Sequence, residues 1–186
     1  MDKYIPVVVI KDLAEVDIIL PALKANGINC AEITFRTGCA KEAIKLASEK
    51  YPDMNIGAGT VINTQQCEDA ISVGAKFIVS PGLSRSVAEL CKEKGIPYYP
   101  GCVTPTEIMQ ALDIGITTVK FFPANIYGGL AALKALSAPF GQIKFIPTGG
   151  VDRENLDEFL AFEKVAAVGG SFFVTESLNK MEGENG

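Results

Sequence analysis

An α/β fold built on a parallel sheet is predicted by the alternation of two kinds of segment along the 186 residues. Eight short apolar runs recur, and they are IPVVVI, CAEITF, NIGAG, KFIVS, PYYPG, TTVKFF, IKFIPT and VAAVGG. Between them lie segments of helical length and period, such as AEVDIILPALKAN, AKEAIKLASEK, VAELCKEKG and TEIMQALDIG. Continuous apolar runs are typical of strands in a parallel sheet that is covered by helices.

The spacing of glycines supports this repeat. Gly27, Gly74, Gly95 and Gly115 each follow a helical pattern and precede a strand, where a left-handed C-cap is needed. Eight βα units of about twenty residues favour a closed (β/α)8, or TIM, barrel in one domain over residues 1–186. An open doubly wound sheet is the alternative, but VVVIKDLAEV lacks its glycine-rich fingerprint. The polar segment SLNKMEGENG predicts a loose tail over about residues 177–186.

The composition indicates which classes of binding partner and which cellular compartment to expect. A net charge of -5 opposes binding to nucleic acid or to an anionic membrane, since both need a basic surface. No apolar run approaches the roughly 20 residues of a membrane helix, and the start MDKYIPVVVI lacks a signal-peptide layout. The five cysteines form no CxxC motif, which indicates reduced thiols. We therefore expect a cytoplasmic protein.

The chain contains no histidine. This removes the commonest general base and the commonest catalytic metal ligand, so acid and base chemistry falls to Glu, Asp, Lys, Tyr or Cys. No acidic cluster suited to Mg²⁺ is evident either. We expect neither a metal nor a cofactor.

Lys120 stands late in the apolar run TTVKFF, whereas Lys76 and Lys144 open their runs. In a parallel barrel the functional positions lie at the C-terminal ends of the strands. The position along the strand therefore distinguishes Lys120 from Lys76 and Lys144. Burial penalises the ammonium form, and a neutral amine can attack a ketone to form an imine. Lys120 is thus the candidate Schiff-base lysine, and the alternative is a lysine that pairs with a carboxylate or reaches the rim.

Glu32 interrupts the apolar run CAEITF, and strand alternation places Thr34 and Arg36 on its face, climbing toward the end of the strand. A buried acid there can exchange protons with an imine intermediate, and Arg36 can bind a substrate carboxylate. A purely structural ion pair of Glu32 with Lys120 or Arg36 is the alternative.

Two glycine pairs follow the last two predicted strands, Gly149 and Gly150 in PTGGV and Gly169 and Gly170 in VGGS. Barrels commonly build a phosphate site here from backbone N–H groups and a helix N-terminus. Ser171 can add a hydroxyl donor, and Thr148 precedes the first pair. One pair alone usually marks a turn, but two on consecutive strand ends predict a phosphate site in the loops.

Three further segments follow strands three to five. Thr60 ends GAGT and Pro81 lies in SPGL, where a bare turn and a substrate contact are both open. GCVTPTE indicates a helix start, with Thr104 as N-cap and Glu107 at the third position, and we assign it no chemistry. Cys102 has no histidine to activate it, so we do not expect a thiol nucleophile.

Taken in order, AEITFRT, GAGTV, FIVSPGL, VKFFPA, PTGGV and VGGS resemble segments of the 2-dehydro-3-deoxy-phosphogluconate and 4-hydroxy-2-oxoglutarate aldolase family of class I aldolases. The likeness runs from IPVVVI to GGSFF, nearly the whole chain. It implies a TIM-barrel lyase of the Entner–Doudoroff pathway and a homotrimer that needs no metal. The chain differs at its ends, where we expect shortened terminal helices.

The resemblance also implies roles for individual residues. Lys120 would form the Schiff base, and Glu32 would be the general acid and base. The pyruvate portion would be surrounded by Arg36, Thr60, Pro81, Phe122 and Thr148, and the phosphate would be held by Gly149, Gly150, Gly169, Gly170 and Ser171. The expected reaction is reversible cleavage of 2-dehydro-3-deoxy-6-phosphogluconate, a phosphorylated keto acid, to pyruvate and glyceraldehyde 3-phosphate.

Other functions stay open on the sequence alone. The same scaffold could cleave the phosphogalactonate isomer or 4-hydroxy-2-oxoglutarate. A phosphate-binding barrel isomerase would use Lys120 only as an electrostatic group. A non-catalytic assembly protein would keep the barrel for its trimer surface, but the complete set of lysine, glutamate and arginine argues against it.

Overall fold

A computed structural model describes residues 2–184 of the chain. Eight strands alternate with eight α-helices, as the sequence predicts. The strands are β1 Tyr4–Val8, β2 Cys30–Thr34, β3 Asn55–Gly59, β4 Ile78–Val79, β5 Tyr98–Tyr99, β6 Thr118–Phe121, β7 Lys144–Pro147 and β8 Val168–Gly170. The helices are α1 Val16–Ala25, α2 Ala40–Lys50, α3 Thr64–Ser72, α4 Arg85–Lys94, α5 Pro105–Asp113, α6 Gly129–Ser137, α7 Leu156–Ala161 and α8 Phe172–Glu184.

The described strands form two parallel sheets. Six strands lie in the order β5-β4-β3-β2-β1-β8, and β6 pairs with β7. Single bridges connect the pair to each side of the larger sheet, Gly101 to Lys120 beyond β5 and Thr148 to Gly169 at β8. Neighbouring strands follow one another in the chain and β8 lies beside β1, without the reversal of order that a doubly wound sheet contains.

The helices begin and end at the predicted signals. Gly27, Gly74, Gly95 and Gly115 all have positive φ, which confirms the left-handed position after the helices that precede them. Helix α5 begins with the predicted capping box, since Thr104 Oγ1 accepts from Glu107 N while the Glu107 carboxylate accepts from Thr104 N.

The larger hydrophobic clusters lie between the sheets and the helices, and a small third cluster lies on the concave face. Its members come from β1, β2, β4, β7 and the residues just before β4 and β8, strands that are not all neighbours. They are Ile5, Cys30, Phe77, Val79, Ile146 and Ala167. This cluster packs the interior toward the N-terminal ends of the strands, so polar side chains of the interior lie above it, toward the C-terminal ends.

The prediction of a loose tail is wrong for residues 177–184. They belong to α8, which with 13 residues is the longest described helix. Phe173 and Ser177 are buried, and Val174 and Leu178 pack against the core, so one helical face is covered. Residues 185–186 of the predicted tail lie outside the described residues. Within residues 2–184, no helix is long and apolar enough to cross a membrane.

Candidate active site

A lysine and a glutamate meet across the interior of the fold. Lys120 in β6 and Glu32 in β2 approach to 3.3 Å between Nζ and Oε1, and their side chains are 7% and 3% exposed. The flanking Val119 and Phe121 pack outward in the cluster beneath α5, α6 and α7. Strand alternation therefore turns Lys120 inward. Each charge offsets part of the cost of burying the other.

The Glu32 carboxylate occupies space that a glycine leaves free. Gly59, at the end of the neighbouring strand β3, has no side chain, and a methyl group there would lie 2.1 Å from Glu32 Oε1. Any other residue at this position would displace the carboxylate. Gly59 therefore sets where the acid lies relative to Lys120.

Thr60 and Arg36 lie at the rim above Glu32. Thr60 has a φ of 58°, a conformation that costs a β-branched residue energy and that is found most often at functional sites. Its Oγ1 accepts a hydrogen bond of 3.3 Å from Arg36 Nε. Arg36 is exposed, so its guanidinium can meet an anion that enters from solvent.

The loop that contains Pro81 packs close to Gly101, which has no side chain. A methyl group at Gly101 would lie 2.0 Å from the Pro81 carbonyl oxygen, so Gly101 allows the loop after β4 to pass this closely. Gly101 also forms the bridge to Lys120. The loop that holds Pro81 is thus separated from the lysine strand by one residue.

Phe122 lies beside the lysine, and Thr148 directly follows the neighbouring strand β7. The Lys120 ammonium lies 5.2 Å from the centre of the Phe122 ring, within the range of a cation–π contact. A methyl group at Gly149 would lie 3.3 Å from that ring, so the ring rests on the glycine. Thr148 is buried and donates to the Ile146 carbonyl at 3.3 Å.

The two glycine pairs differ in structure. Gly149 and Gly150 have φ of 85° and 74° and form the loop after β7 as predicted. Gly169 and Gly170 are the last residues of β8, so the prediction that they form a loop is wrong. Gly169 pairs with Ile5 of β1, and a glycine is required there because a methyl group would lie 2.3 Å from Thr148 Oγ1. Ser171 is exposed and directly precedes α8, so its hydroxyl lies at the N-terminus of that helix.

The thiols take no evident part in the site. All five cysteines are free, four of them buried and Cys39 partly exposed. Burial raises the pKa of Cys102 to about 12, which opposes a thiolate nucleophile. Over the described part of the chain, no three His, Cys, Asp or Glu side chains are grouped to hold a metal ion.

Comparison with known proteins places this geometry in a family. The model of the family described as "Aldolase: KDPG and KHG aldolase" matches residues 1–185. The chain belongs to this family. A curated member from Dickeya dadantii, named 2-dehydro-3-deoxy-phosphogluconate aldolase, is 44% identical over 170 residues, which cover 91% of this chain and 80% of the relative. The KHG/KDPG aldolase of Escherichia coli K12 is 41% identical with the same coverage.

A solved structure of a family member matches the whole fold. The KDPG aldolase of Legionella pneumophila, with pyruvate captured at low pH as a covalent carbinolamine intermediate, superposes with a TM-score of 0.91 at 41% identity. The match covers 97% of this chain and 88% of that one.

Several residues that shape this aldolase site were missed by sequence reasoning. Gly59 and Gly101 shape the site because they have no side chain and so leave space for other groups. Asn125 packs over Gly150, where an added methyl group would lie 2.2 Å from Asn125 Cγ. A glycine inside a strand does signal the close approach of another group, and GAGT contains one at Gly59. The signal does not say which group approaches, because Glu32 and Gly59 are brought together only by the register of β2 and β3.

Proposed function

We propose that this chain is a class I aldolase that cleaves 2-dehydro-3-deoxy-6-phosphogluconate reversibly to pyruvate and glyceraldehyde 3-phosphate. The observation that carries the proposal is the buried contact of 3.3 Å between Lys120 Nζ and Glu32 Oε1. It joins an amine and a proton acceptor away from water, as imine formation requires. The names of the relatives and the carbinolamine of the Legionella enzyme support the same chemistry.

In the proposed reaction, Glu32 accepts a proton from Lys120, and the neutral amine attacks C2 of the keto acid. The C2 oxygen receives one proton back from Glu32 and a second from the attacking nitrogen, and it leaves as water, so an iminium with one N–H remains on Lys120. The C3–C4 bond then breaks: its electron pair enters the iminium and gives an enamine, while Glu32 takes the proton of the C4 hydroxyl and the aldehyde departs. Protonation at C3 and hydrolysis release pyruvate and free Lys120.

The remaining residues of the site would bind the two ends of the substrate. Arg36 at the rim suits the carboxylate, while Thr60, Pro81, Phe122 and Thr148 surround the pyruvate portion in this proposal. Backbone N–H groups of Gly149 and Gly150, together with Ser171 at the start of α8, suit a phosphate. Gly169 and Gly170 contribute by leaving room for Thr148 and Phe172.

The proposal extends to the architecture and the setting of the protein. A closed single-domain (β/α)8 barrel is supported by the two bridges that link β6 and β7 to both sides of the larger sheet. A cytoplasmic homotrimer that needs no cofactor agrees with five free thiols and with the family resemblance. The net charge of -5 supports a small phosphorylated keto acid, rather than nucleic acid, as the partner.

Trapping with borohydride tests the Schiff base. Incubation with pyruvate and borohydride should leave a reduced pyruvate adduct on the peptide that contains Lys120, and Lys120→Arg should form none. Lys144→Arg is the matched control, because Lys144 is exposed at the other end of a strand, and it should form the adduct normally. A folded wild-type protein without an adduct contradicts the proposal and favours an isomerase or a non-catalytic protein.

Cleavage of 4-hydroxy-2-oxoglutarate is a second candidate, since the E. coli relative is named for both activities. That substrate carries no phosphate. Ser171→Ala should therefore lower kcat/KM for the phosphorylated substrate and leave the other unchanged. Ser171→Ala is preferable to a substitution at Gly150, where any side chain meets Asn125.

A further inference from the structure

One buried hydroxyl in the interior is left without a partner. Thr34 is 0% exposed, and its Oγ1 is the one buried side-chain nitrogen or oxygen atom in residues 2–184 that has no hydrogen-bond partner. Buried polar atoms in proteins are almost always paired, so such an exception calls for an explanation. A strand threonine could instead have been a valine, which packs equally well and has no hydroxyl to satisfy.

The position of Thr34 shows what its hydroxyl faces. Thr34 lies two residues after Glu32 in β2, so both side chains point to the interior, whereas Ile33 packs outward in the cluster with the helices. One such step raises Thr34 by about 6.6 Å toward the rim. Arg36 lies two residues further, at the rim itself. Thr34 is therefore between the acid of the reacting centre and the arginine.

The polar groups of the neighbouring strand beside Thr34 are bonded to other donors. Thr34 pairs in register with Gly59, whose carbonyl accepts a hydrogen bond of 2.8 Å from Phe35 N. Thr60, which directly follows β3, accepts from Arg36 Nε through its Oγ1. Thr34 is 0% exposed in the free protein, so a ligand oxygen bound between Glu32 and Arg36 would reach this unpaired hydroxyl once the side chains that cover it move aside.

We propose that Thr34 Oγ1 donates a hydrogen bond to the carboxylate of the keto acid that reacts at Lys120. The inference rests on the proposed function, because a keto acid bonded through C2 to Lys120 directs its adjacent carboxylate toward the rim where Arg36 lies. The hydroxyl supplies a short, fixed donor below the arginine. It thereby holds the ketone carbon at the height of Lys120 Nζ.

The test compares Thr34→Val, which replaces the hydroxyl by a methyl group of similar volume, with Thr34→Ser, which keeps the hydroxyl. Each variant is titrated with pyruvate, the Lys120 adduct is trapped with borohydride, and the Tm of the free protein is measured. Thr34→Val should need about 10-fold more pyruvate for half-maximal trapping, because a hydrogen bond to a charged group is lost. Thr34→Ser should stay within about twofold of wild type.

The Tm of the free protein distinguishes an effect of the Thr34 substitutions on pyruvate binding from an effect on packing. Removal of an unpaired buried hydroxyl should leave the Tm of free Thr34→Val equal to that of wild type or higher. The inference is overturned if Thr34→Val traps pyruvate like wild type, if it is impaired only with the full phosphorylated substrate, or if both variants lose Tm and trapping together. Failure of wild type itself to form the adduct would instead remove the proposed function.

Discussion

Among single residues, Gly59 places the Glu32 carboxylate by leaving space for it. Gly59→Ala would put a methyl group 2.1 Å from Glu32 Oε1, so the carboxylate must leave its present position relative to Lys120. A displacement of about 1 Å in an active site can cost about 100-fold in rate, so we expect kcat for aldol cleavage to fall on this order.

The control for this prediction is another glycine. Gly38 is exposed in the loop before α2, and a methyl group there meets no atom within 4 Å, so Gly38→Ala should retain wild-type kcat. Steady-state kinetics of both variants, with circular dichroism to verify folding, make the comparison. Wild-type kcat in a folded Gly59→Ala protein would show that Glu32 does not need its present position.

Lys120 and Glu32 could be identified as candidate site residues because a charged residue inside an apolar run is evident from the sequence alone. Lys120 and Glu32 both interrupt apolar runs, and strand alternation places each on the inner face. They are separated by 88 positions in the sequence, so their contact becomes evident only when the fold brings β2 and β6 to face each other. Thr34 was placed on the correct face, but its lack of a partner depends on the hydrogen bonds of β3.

Among the elements, α5 has the most complete N-terminal cap. Thr104 and Glu107 satisfy each other's backbone N–H groups, and Glu107 also accepts from Val103 N at 2.8 Å. Thr104→Ala should lower the free energy of unfolding by about 1 kcal/mol, since the Glu107 N–H loses its side-chain acceptor. Thr106→Ala, an exposed threonine within the same helix, should change it by less than about 0.5 kcal/mol. Urea unfolding measures both, and equal values would contradict the capping role.

The elements that were predicted correctly have signals within a few neighbouring residues. The errors arose where contacts with residues distant in the sequence determine the structure. Glycine caps and the α5 box depend on residues within one turn, so the sequence reveals them. The end of the chain looks loose because its residues are polar, yet α8 is held by Phe173 and Ser177 on one buried face and by an ion pair of Glu176 with Arg153. Gly169 and Gly170 likewise resemble a turn, but they pair with β1 and leave room for Thr148 and Phe172, which the sequence does not reveal.

For the whole molecule, the buried thiols make the free energy of unfolding depend on pH in the alkaline range. Burial raises the pKa of Cys102 to about 12 and also raises that of Cys30. Hydrogen bonding to Cys67 raises the pKa of Cys91, while the pKa of Cys67 is lowered. Thiols of the unfolded chain ionise near pH 8.5. Between about pH 9 and 12 the folded state thus holds more protons than the unfolded state, and the free energy of unfolding falls as pH rises.

Cys102 provides the test of this dependence. Its contribution is fully present below about pH 8.5 and is lost at up to about 1.4 kcal/mol per pH unit as pH rises toward 12. The free energy of unfolding of Cys102→Ala, measured in urea from pH 8 to 10 at one protein concentration, should therefore fall less steeply than that of wild type. Ile108→Val, in the same cluster, removes one buried methyl group without removing a titrating group, so its curve should be lower and parallel to wild type. Parallel curves for Cys102→Ala and wild type would mean that this thiol ionises equally in both states.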